Sequence, residues 1–119
     1  MEQHYSETRD TRRRRGRRAG ANFAQTLVAH LYGVTLEDLL SATRRCAKTA
    51  FARHLAMYLM HTVYGMSMTE IGQAFGRDRT TASHGCHRVE DMRENPSLDR
   101  FVARLEKLLR EAVAIEGAS

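Results

Sequence analysis

The sequence predicts an all-α fold, a compact helical bundle of about six helices. Apolar residues recur at steps of three and four through most of the chain after residue 21, which is the period of an amphipathic helix. The 119 residues contain a single proline and few runs of the β-branched residues that favour strands. Capping residues and glycines separate the periodic segments, and the length is that of one domain.

Residues 1–21 are predicted to form a disordered, Arg-rich N-terminal arm, and residues 22–115 the folded domain. The run from Thr11 to Ala21 has almost no apolar residue and holds six arginines between Arg12 and Arg18. Residues 1–20 carry seven arginines and three acids, a net charge of +4 out of +5 for the whole chain. We therefore expect an electrostatic arm that lies along phosphates or enters a minor groove; the alternative is a solubilising tail or a leftover of expression.

Two helices open the predicted domain. Asn22 is expected to cap a helix that runs to about Tyr32 and ends at Gly33, with an apolar face formed by Phe23, Leu27 and Leu31. Thr35 is expected to cap a short second helix, LEDLLSA, whose acids lie in its first turn. A loop with three basic residues is expected to follow: Arg44, Arg45 and Lys48. This loop is either a solvated connection or a basic contact to the DNA backbone or minor groove.

The segment from about Thr49 to Tyr64 is predicted to be the core helix, because apolar residues cover nearly its whole circumference. Arg53 and His54 interrupt this pattern in the first turn. We expect both side chains to project from the buried body beside the basic loop. Alternatively, Arg53 lays its aliphatic stem on the core and extends its charge to solvent.

Two short helices joined by a tight turn are predicted between Ser67 and Glu90. Ser67 and Glu70 have the spacing of a capping box, and Gly76 supplies the left-handed conformation of a sharp stop. Asp78 is placed to cap the second helix of the pair. This arrangement is a helix-turn-helix.

The second helix of the pair has two chemically different sides. Ala82, Cys86 and Val89 lie on one side with Gly85 beside them, and the other side carries Thr80, His84, His87 and Arg88. No acid occurs from Thr80 to Val89, whereas a merely solvated helix face usually mixes Glu with Lys. A surface rich in hydroxyls and cations suits a helix that enters the major groove of DNA; the alternative is a helical hairpin with a solvated outer face.

The last predicted helix begins at Asn95 and Pro96, a common capping pair. Its apolar residues alternate in steps of three and four: Leu98, Phe101, Leu105, Leu108, Ala112 and Ile115. We expect this seam to pack on the core of the domain, and a dimer contact is the alternative. The chain is therefore expected to be a monomer or a weak dimer.

Several function classes lack support in the residues. No segment qualifies as a membrane span or secretory signal, and two cysteines indicate a reduced, cytoplasmic setting. A zinc site is not expected, because Cys86 faces away from His84 and His87 on a helix. No phosphate-binding Gly-rich loop occurs, and Glu70 and Asp78 are used as caps. The sequence thus predicts no enzyme, no cofactor and no metal.

The run from Arg53 to Glu90 resembles the C-terminal DNA-binding domain of the bacterial chromosomal replication initiator, the DnaA family. The matching pieces are RHLAMYL, SMTEIGQAFG and RDRTTASHGCHRVE, and TLVAHLYGVTLEDLLS resembles the first helices of that domain. The resemblance covers about residues 22–110. An apolar helix opening with Arg, an IG..FG helix and an RD.TT turn are together specific to this family.

The resemblance implies sequence-specific binding to a short box in double-stranded DNA, with the RD.TT turn and the following helix in the major groove. With the basic loop and the remaining polar residues of the second helix included, the expected DNA-binding residues are Arg44, Arg45, Lys48, Arg53, His54, Arg77, Asp78, Arg79, Thr80, Thr81, His84, Gly85 and Arg88. The chain departs from the family pattern, which has two glycines before RD, His where Arg79 stands and Gln where His54 stands. Since Arg at a groove edge favours guanine, the preferred box is expected to differ.

The expected function is regulation of replication initiation or transcription at initiator-box-like sites, in the cytoplasm and in association with the nucleoid. The ATPase domain that precedes this domain in the initiator is not in the sequence, so we expect a free-standing module that cannot switch on nucleotide. Two alternatives remain: a plain transcription factor with no replication role, or a protein-interaction module that docks on the full-length initiator and binds DNA only non-specifically.

Overall fold

The computed structural model describes residues 8–41 and 46–118 as an all-helical bundle. Six helices occur in these residues: α1 (Arg9–Tyr32), α2 (Leu36–Leu40), α3 (Ala47–Thr62), α4 (Met68–Ala74), α5 (Arg79–Met92) and α6 (Pro96–Ala118). The described part of the chain contains no strand, so the predicted all-α class and the number of helices are confirmed. None of the described helices is both long enough and apolar enough to cross a membrane.

Helix α3 is the centre of the bundle. It packs against α1, α2, α4 and α5. Its side chains from Leu55 to Met60 are all buried, Met57 and Met60 completely. A helix that is apolar on nearly every side must be covered by several neighbours, as the sequence predicted. Through α3, the position of α5 is fixed relative to α1 and α2.

Helix α1 begins fourteen residues earlier than the sequence predicted, at Arg9 instead of after Asn22. The side chain of Thr8 caps it by accepting a hydrogen bond from the Thr11 amide at 3.0 Å. Arginine and alanine are strong helix formers, so this segment can be helical without an apolar face of its own. Residues 9–21 are therefore helix where disorder was predicted, and residues 1–7 lie outside the described residues.

Two contacts hold the early part of α1 on the domain. Arg17 forms an ion pair of 3.3 Å with Glu70 of α4. A Cβ at Gly20 would overlap the ring of Tyr64, so glycine allows this ring to lie directly against the helix. Further along, the predicted apolar face is only partly correct, since Leu27 packs half-buried against the core. Phe23 and Leu31 are exposed, and the small residues Ala21, Ala24 and Ala29 are buried with Val28.

The links between helices follow the predicted local signals. Gly33 and Gly76 both have a positive φ near 65°. Gly33 ends α1, and Gly76 lies in the turn after α4. Ser67 and Glu70 form the predicted capping box at α4, with hydrogen bonds of 3.0 and 3.1 Å. Gly72 has a further role, because a Cβ there would collide with the backbone carbonyls of Arg77 and Asp78. The absence of a side chain at Gly72 thus lets the turn fold back closely on α4.

Helix α6 is anchored by a partly buried polar network around Arg93. The Arg93 guanidinium donates to Asp99 at 2.6 Å, to Glu106 at 3.0 Å and to the Tyr58 hydroxyl at 3.1 Å. The apolar residues of α6 that are buried are Val102, Leu105 and Leu109. The predicted packing seam is therefore only partly correct, since Phe101, Leu108 and Ile115 are exposed.

Candidate nucleic-acid interface

The N-terminus of α5 presents its first turn to solvent. Asp78 caps the helix, its carboxylate accepting a hydrogen bond of 2.8 Å from the Thr81 amide. This bond holds the pKa of the Asp78 carboxyl below its usual value. Arg79 and Thr80 are exposed and Thr81 is half-buried. The turn therefore offers a guanidinium and two hydroxyl groups at the positive end of a helix dipole.

Arg77 and Arg53 converge on one backbone carbonyl. The Arg77 guanidinium donates to the Ser41 oxygen at 2.9 Å, and the Arg53 guanidinium donates to the same oxygen, also at 2.9 Å. Burial and then the charge of Arg77 lower the pKa of Arg53. The two cations thus repel each other, and the attraction of both to the end of α2 holds them together.

Arg53 does not project outward as the sequence analysis expected. It is only 6% exposed, and its Nε donates to the Leu39 carbonyl at 2.8 Å. Its other hydrogen bonds go to the carbonyls of Asp38 and Ser41, at the C-terminus of α2. The carbonyls at a helix end need donors, and a cation also opposes the negative end of the dipole. Arg53 therefore positions the α2–α3 connection and is not an exposed surface residue.

His54 forms a polar cluster with α5. Arg88 donates to Nδ1 of His54 at 3.1 Å, and the rings of His54 and His84 meet edge to face, with centroids 6.5 Å apart. The pKa of His54 falls to about 4, first because of burial and then because of the charges of Arg88 and Arg53. Since arginine can only donate, Nδ1 accepts and the ring proton is on Nε2. His54 is therefore a neutral hydrogen-bond donor near neutral pH.

Gly85 lies on the buried side of α5, not on the outer side. A Cβ there would approach the His54 ring to 2.8 Å and the Met57 sulfur to 3.1 Å. Gly85 therefore permits the close packing of α5 on α3, and its burial leaves it without a surface for direct contact with a ligand. Ala82, Cys86 and Val89 are also buried, as the sequence predicted. Burial raises the pKa of the Cys86 thiol to about 11, which fits a core residue.

Lys48 completes the described basic surface, in the first turn of α3, where it is exposed. Arg44 and Arg45 lie outside the described residues. We call the described surface the basic face and define it by Lys48, His54, Arg77, Arg79, Thr80, Thr81, His84 and Arg88. Helix α3 contains no Asp or Glu, and the segment from Arg77 to Val89 contains only Asp78, which is engaged as a cap. The basic face is thus rich in donors and positive charge.

Two pairings within this face were missed by the sequence analysis. Arg77 and Ser41 are 36 residues apart, and Arg88 and His54 are 34 residues apart. No local pattern signals either pair, because both depend on how α5 packs across α3. Among the described residues, no group of three His, Cys, Asp or Glu side chains could hold a metal ion.

Comparison with known proteins identifies the family of this chain. The family model described as the bacterial dnaA protein helix-turn-helix matches residues 22–89, which include the last 11 residues of α1, all of α2 to α4 and most of α5. The chain belongs to the bacterial DnaA helix-turn-helix family. The match thus confirms the resemblance found in the RHLAMYL, IGQAFG and RDRTT segments.

Individual relatives agree with this assignment. The chain is 32% identical over 99 residues to the chromosomal replication initiator protein DnaA of Treponema denticola, a match that covers 82% of this chain and 21% of the relative. A crystal structure of a DNA replication initiation factor is similar with a TM-score of 0.76 and 35% identity, over 86% of this chain and 32% of that one. A replication initiator DnaA bound to AMPPCP and single-stranded DNA has a TM-score of 0.74 and 34% identity, over 86% and 31%. The chain thus spans about a fifth of the curated relative's length.

Proposed function

We propose that the chain binds double-stranded DNA sequence-specifically, at sites like the box of the replication initiator, and thereby regulates replication initiation or transcription. In this proposal α5 enters the major groove, with the first turn at Arg79, Thr80 and Thr81 against base edges and phosphates. Membership in the DnaA helix-turn-helix family supports a role at DNA. One DnaA structure similar to this chain holds single-stranded DNA, whereas the present proposal concerns the duplex.

The observation that carries the proposal is the positive charge of the basic face. Burial, and after it the charges of neighbouring cations, keep His54 neutral to about pH 4 and lower the pKa of Arg53. Since α3 and the segment from Arg77 to Val89 supply a single, already engaged carboxylate, a bound polyanion would relieve this repulsion. DNA phosphates provide such charges, and binding them releases counterions.

Three of the expected DNA-binding residues, one of which is the α5 cap Asp78, have other places in the proposed interface. Arg53 supports it from behind by holding the end of α2, next to the backbone of Ser41. Gly85 supports it by allowing α5 to approach α3. Direct contacts are therefore proposed for the basic face and, beyond the described residues, for Arg44 and Arg45. The helical arginines of early α1 are proposed to add phosphate contacts without sequence preference.

The first experiment is fluorescence anisotropy of the purified chain on two duplexes, one with the initiator box of the same bacterium and one with that box scrambled. We expect a preference for the box that persists at physiological salt, with about 1–3 kcal/mol lost in the Thr80→Ala variant. Thr26→Ala, which changes an exposed threonine on α1, is the matched control. Equal affinity for both duplexes, collapsing as salt rises, would instead mean charge-driven binding without sequence recognition.

A further inference from the structure

Helix α6 carries an apolar stripe that the rest of the described chain leaves uncovered. Phe101, Leu108 and Ile115 are 36%, 55% and 71% exposed. They are seven residues apart, so they lie along one line of the helix. The core is contacted by a neighbouring line, Val102, Leu105 and Leu109. α6 thus has one apolar line that packs internally and a second that meets solvent.

The charges beside this stripe are arranged in a self-complementary way. Arg104 and Glu111 are exposed, and each follows a stripe residue by three positions, on the same edge of the stripe. They are opposite in sign and seven residues apart. If two copies of α6 lie antiparallel and centred on Leu108, Phe101 of one copy faces Ile115 of the other. The same alignment places Arg104 opposite Glu111 twice, whereas a parallel alignment creates no such pair.

We propose that two copies of this chain associate through α6 as an antiparallel, two-fold symmetric homodimer. The stripe of Phe101, Leu108 and Ile115 forms its apolar centre, and the two Arg104–Glu111 pairs fix its direction. Such an interface is isologous, because the same surface serves both partners. It is small beside a standard interface of about 20–30 residues per partner. The dimer is therefore weak, with a dissociation constant of about 10 μM to 1 mM.

Sedimentation equilibrium of the full chain, without DNA, tests the association from about 1 μM to about 1 mM. We expect a reversible dimer in the wild type and a monomer over the whole range in Leu108→Glu. Val113→Glu is the matched control, since Val113 is also exposed on α6 but lies beside Phe23 and Tyr64 of the same chain. A wild-type monomer at every concentration, or a dimer unchanged by Leu108→Glu, would overturn the proposal. Circular dichroism checks that each variant remains folded.

Charge reversal tests the antiparallel direction. Arg104→Glu and Glu111→Arg each place like charges together in their own homodimers, so each variant alone is expected to associate at least several-fold more weakly. Mixed in equal amounts, the two variants restore both ion pairs, and the heterodimer should exceed the statistical half of all dimers. The double variant Arg104→Glu with Glu111→Arg should associate like the wild type. A statistical mixture would contradict the antiparallel pairing.

A symmetric dimer also carries two copies of the basic face related by a half-turn, which suits two inverted boxes. This consequence rests on the proposed function and is tested separately. On a duplex with two inverted boxes at varied spacing, Leu108→Glu should lose cooperative binding and keep the affinity for one box. If the wild type does not bind a single box, the proposed function is wrong. If it binds a single box but binds two inverted boxes without cooperativity, only the dimer's role on DNA is wrong.

Discussion

Arg53 and Arg93 are both largely buried cations, but their surroundings are opposite in charge. Arg93 is 19% exposed and donates to two carboxylates, Asp99 and Glu106. Although burial acts to lower it, these hydrogen bonds and that with Tyr58 raise the pKa of Arg93. Within the described residues, Arg53 donates only to backbone carbonyls, and a second cation, Arg77, lies beside it, so its pKa is lowered.

This difference separates a charge that is balanced within the fold from one that is not. The Arg93 network is complete in the folded chain and ties the end of α5 to α6. In the cluster of Arg53, Arg77, His54 and Arg88, the described acceptors are backbone carbonyls and the His54 ring. This cluster is therefore the part of the molecule where an external anion has most to contribute, and substitutions in the two regions should have different consequences.

The largest expected effect is that of Arg93→Ala on stability. Removing this guanidinium leaves Glu106 buried, with its charge unpaired, and removes the donor to the Tyr58 hydroxyl. Breaking a buried pair from one side costs about 3–5 kcal/mol. Urea denaturation should show this decrease in the free energy of unfolding, with box binding by the remaining folded protein unchanged. Arg100→Ala, an exposed change on α6, should alter stability by less than about 0.5 kcal/mol.

The next largest effect is that of Arg53→Ala, which should lower stability by about 2–3 kcal/mol. The substitution leaves the buried carbonyl of Leu39 and the end of α2 without their donor. DNA affinity should fall as well, because the Ser41 segment and Arg77 lose their support. Arg53→Lys should recover only part of the stability, since one ammonium cannot reproduce the three-carbonyl geometry. An unchanged free energy of unfolding in Arg53→Ala would show that the structural role is wrong.

An intermediate effect is expected on acid stability through His54. An unfolded chain protonates this histidine as the pH falls below about 6.5, whereas the folded chain does so only near pH 4. Proton uptake by the unfolded state therefore costs stability across this window, and the loss is complete below it. We expect about 1–2 kcal/mol after allowance for the partial exposure of the ring.

His54→Gln removes that group and should flatten the decline. The measurement is the melting temperature at several values between pH 7 and pH 4.5, compared with the wild type. His87→Gln, which changes an exposed histidine on α5, serves as the control. Parallel curves for the wild type and His54→Gln would contradict the assigned environment of His54.

The sequence predicted what depends on neighbouring residues along the chain. The caps Thr35, Ser67 and Asp78 use partners three residues away, and all three form the expected hydrogen bonds. The sequence did not predict which residues of different helices are in contact. The family resemblance placed Gly85 among the DNA-binding residues, but the close packing of α5 on α3 buries it. Arg53 could equally have reached solvent, and only the position of α2 determines that it turns inward.

The predictions for the start of α1 and for the packing seam of α6 were inaccurate for a related reason. An arginine run has no apolar period, so composition suggested disorder, whereas helix propensity and the contact of Arg17 with Glu70 favour helix. In α6, two apolar lines lie side by side, and spacing alone cannot show which one meets the core. Leu98 and Leu105 were placed on the packed side correctly, while Phe101 and Leu108 belong to the exposed line.

The smallest expected effect is that of Arg77→Gln, which tests how this charge acts on DNA. Arg77 is half-buried and its one described hydrogen bond goes to Ser41, so its loss should lower stability by about 1 kcal/mol or less. If its charge acts on phosphates, box and scrambled duplexes should be weakened similarly. The slope of log affinity against log salt should fall by about 0.9, the value for one phosphate contact. Lys107→Gln on α6 should leave the slope unchanged. A loss confined to the box duplex would instead mean that Arg77 reads bases, because a phosphate contact carries no sequence information.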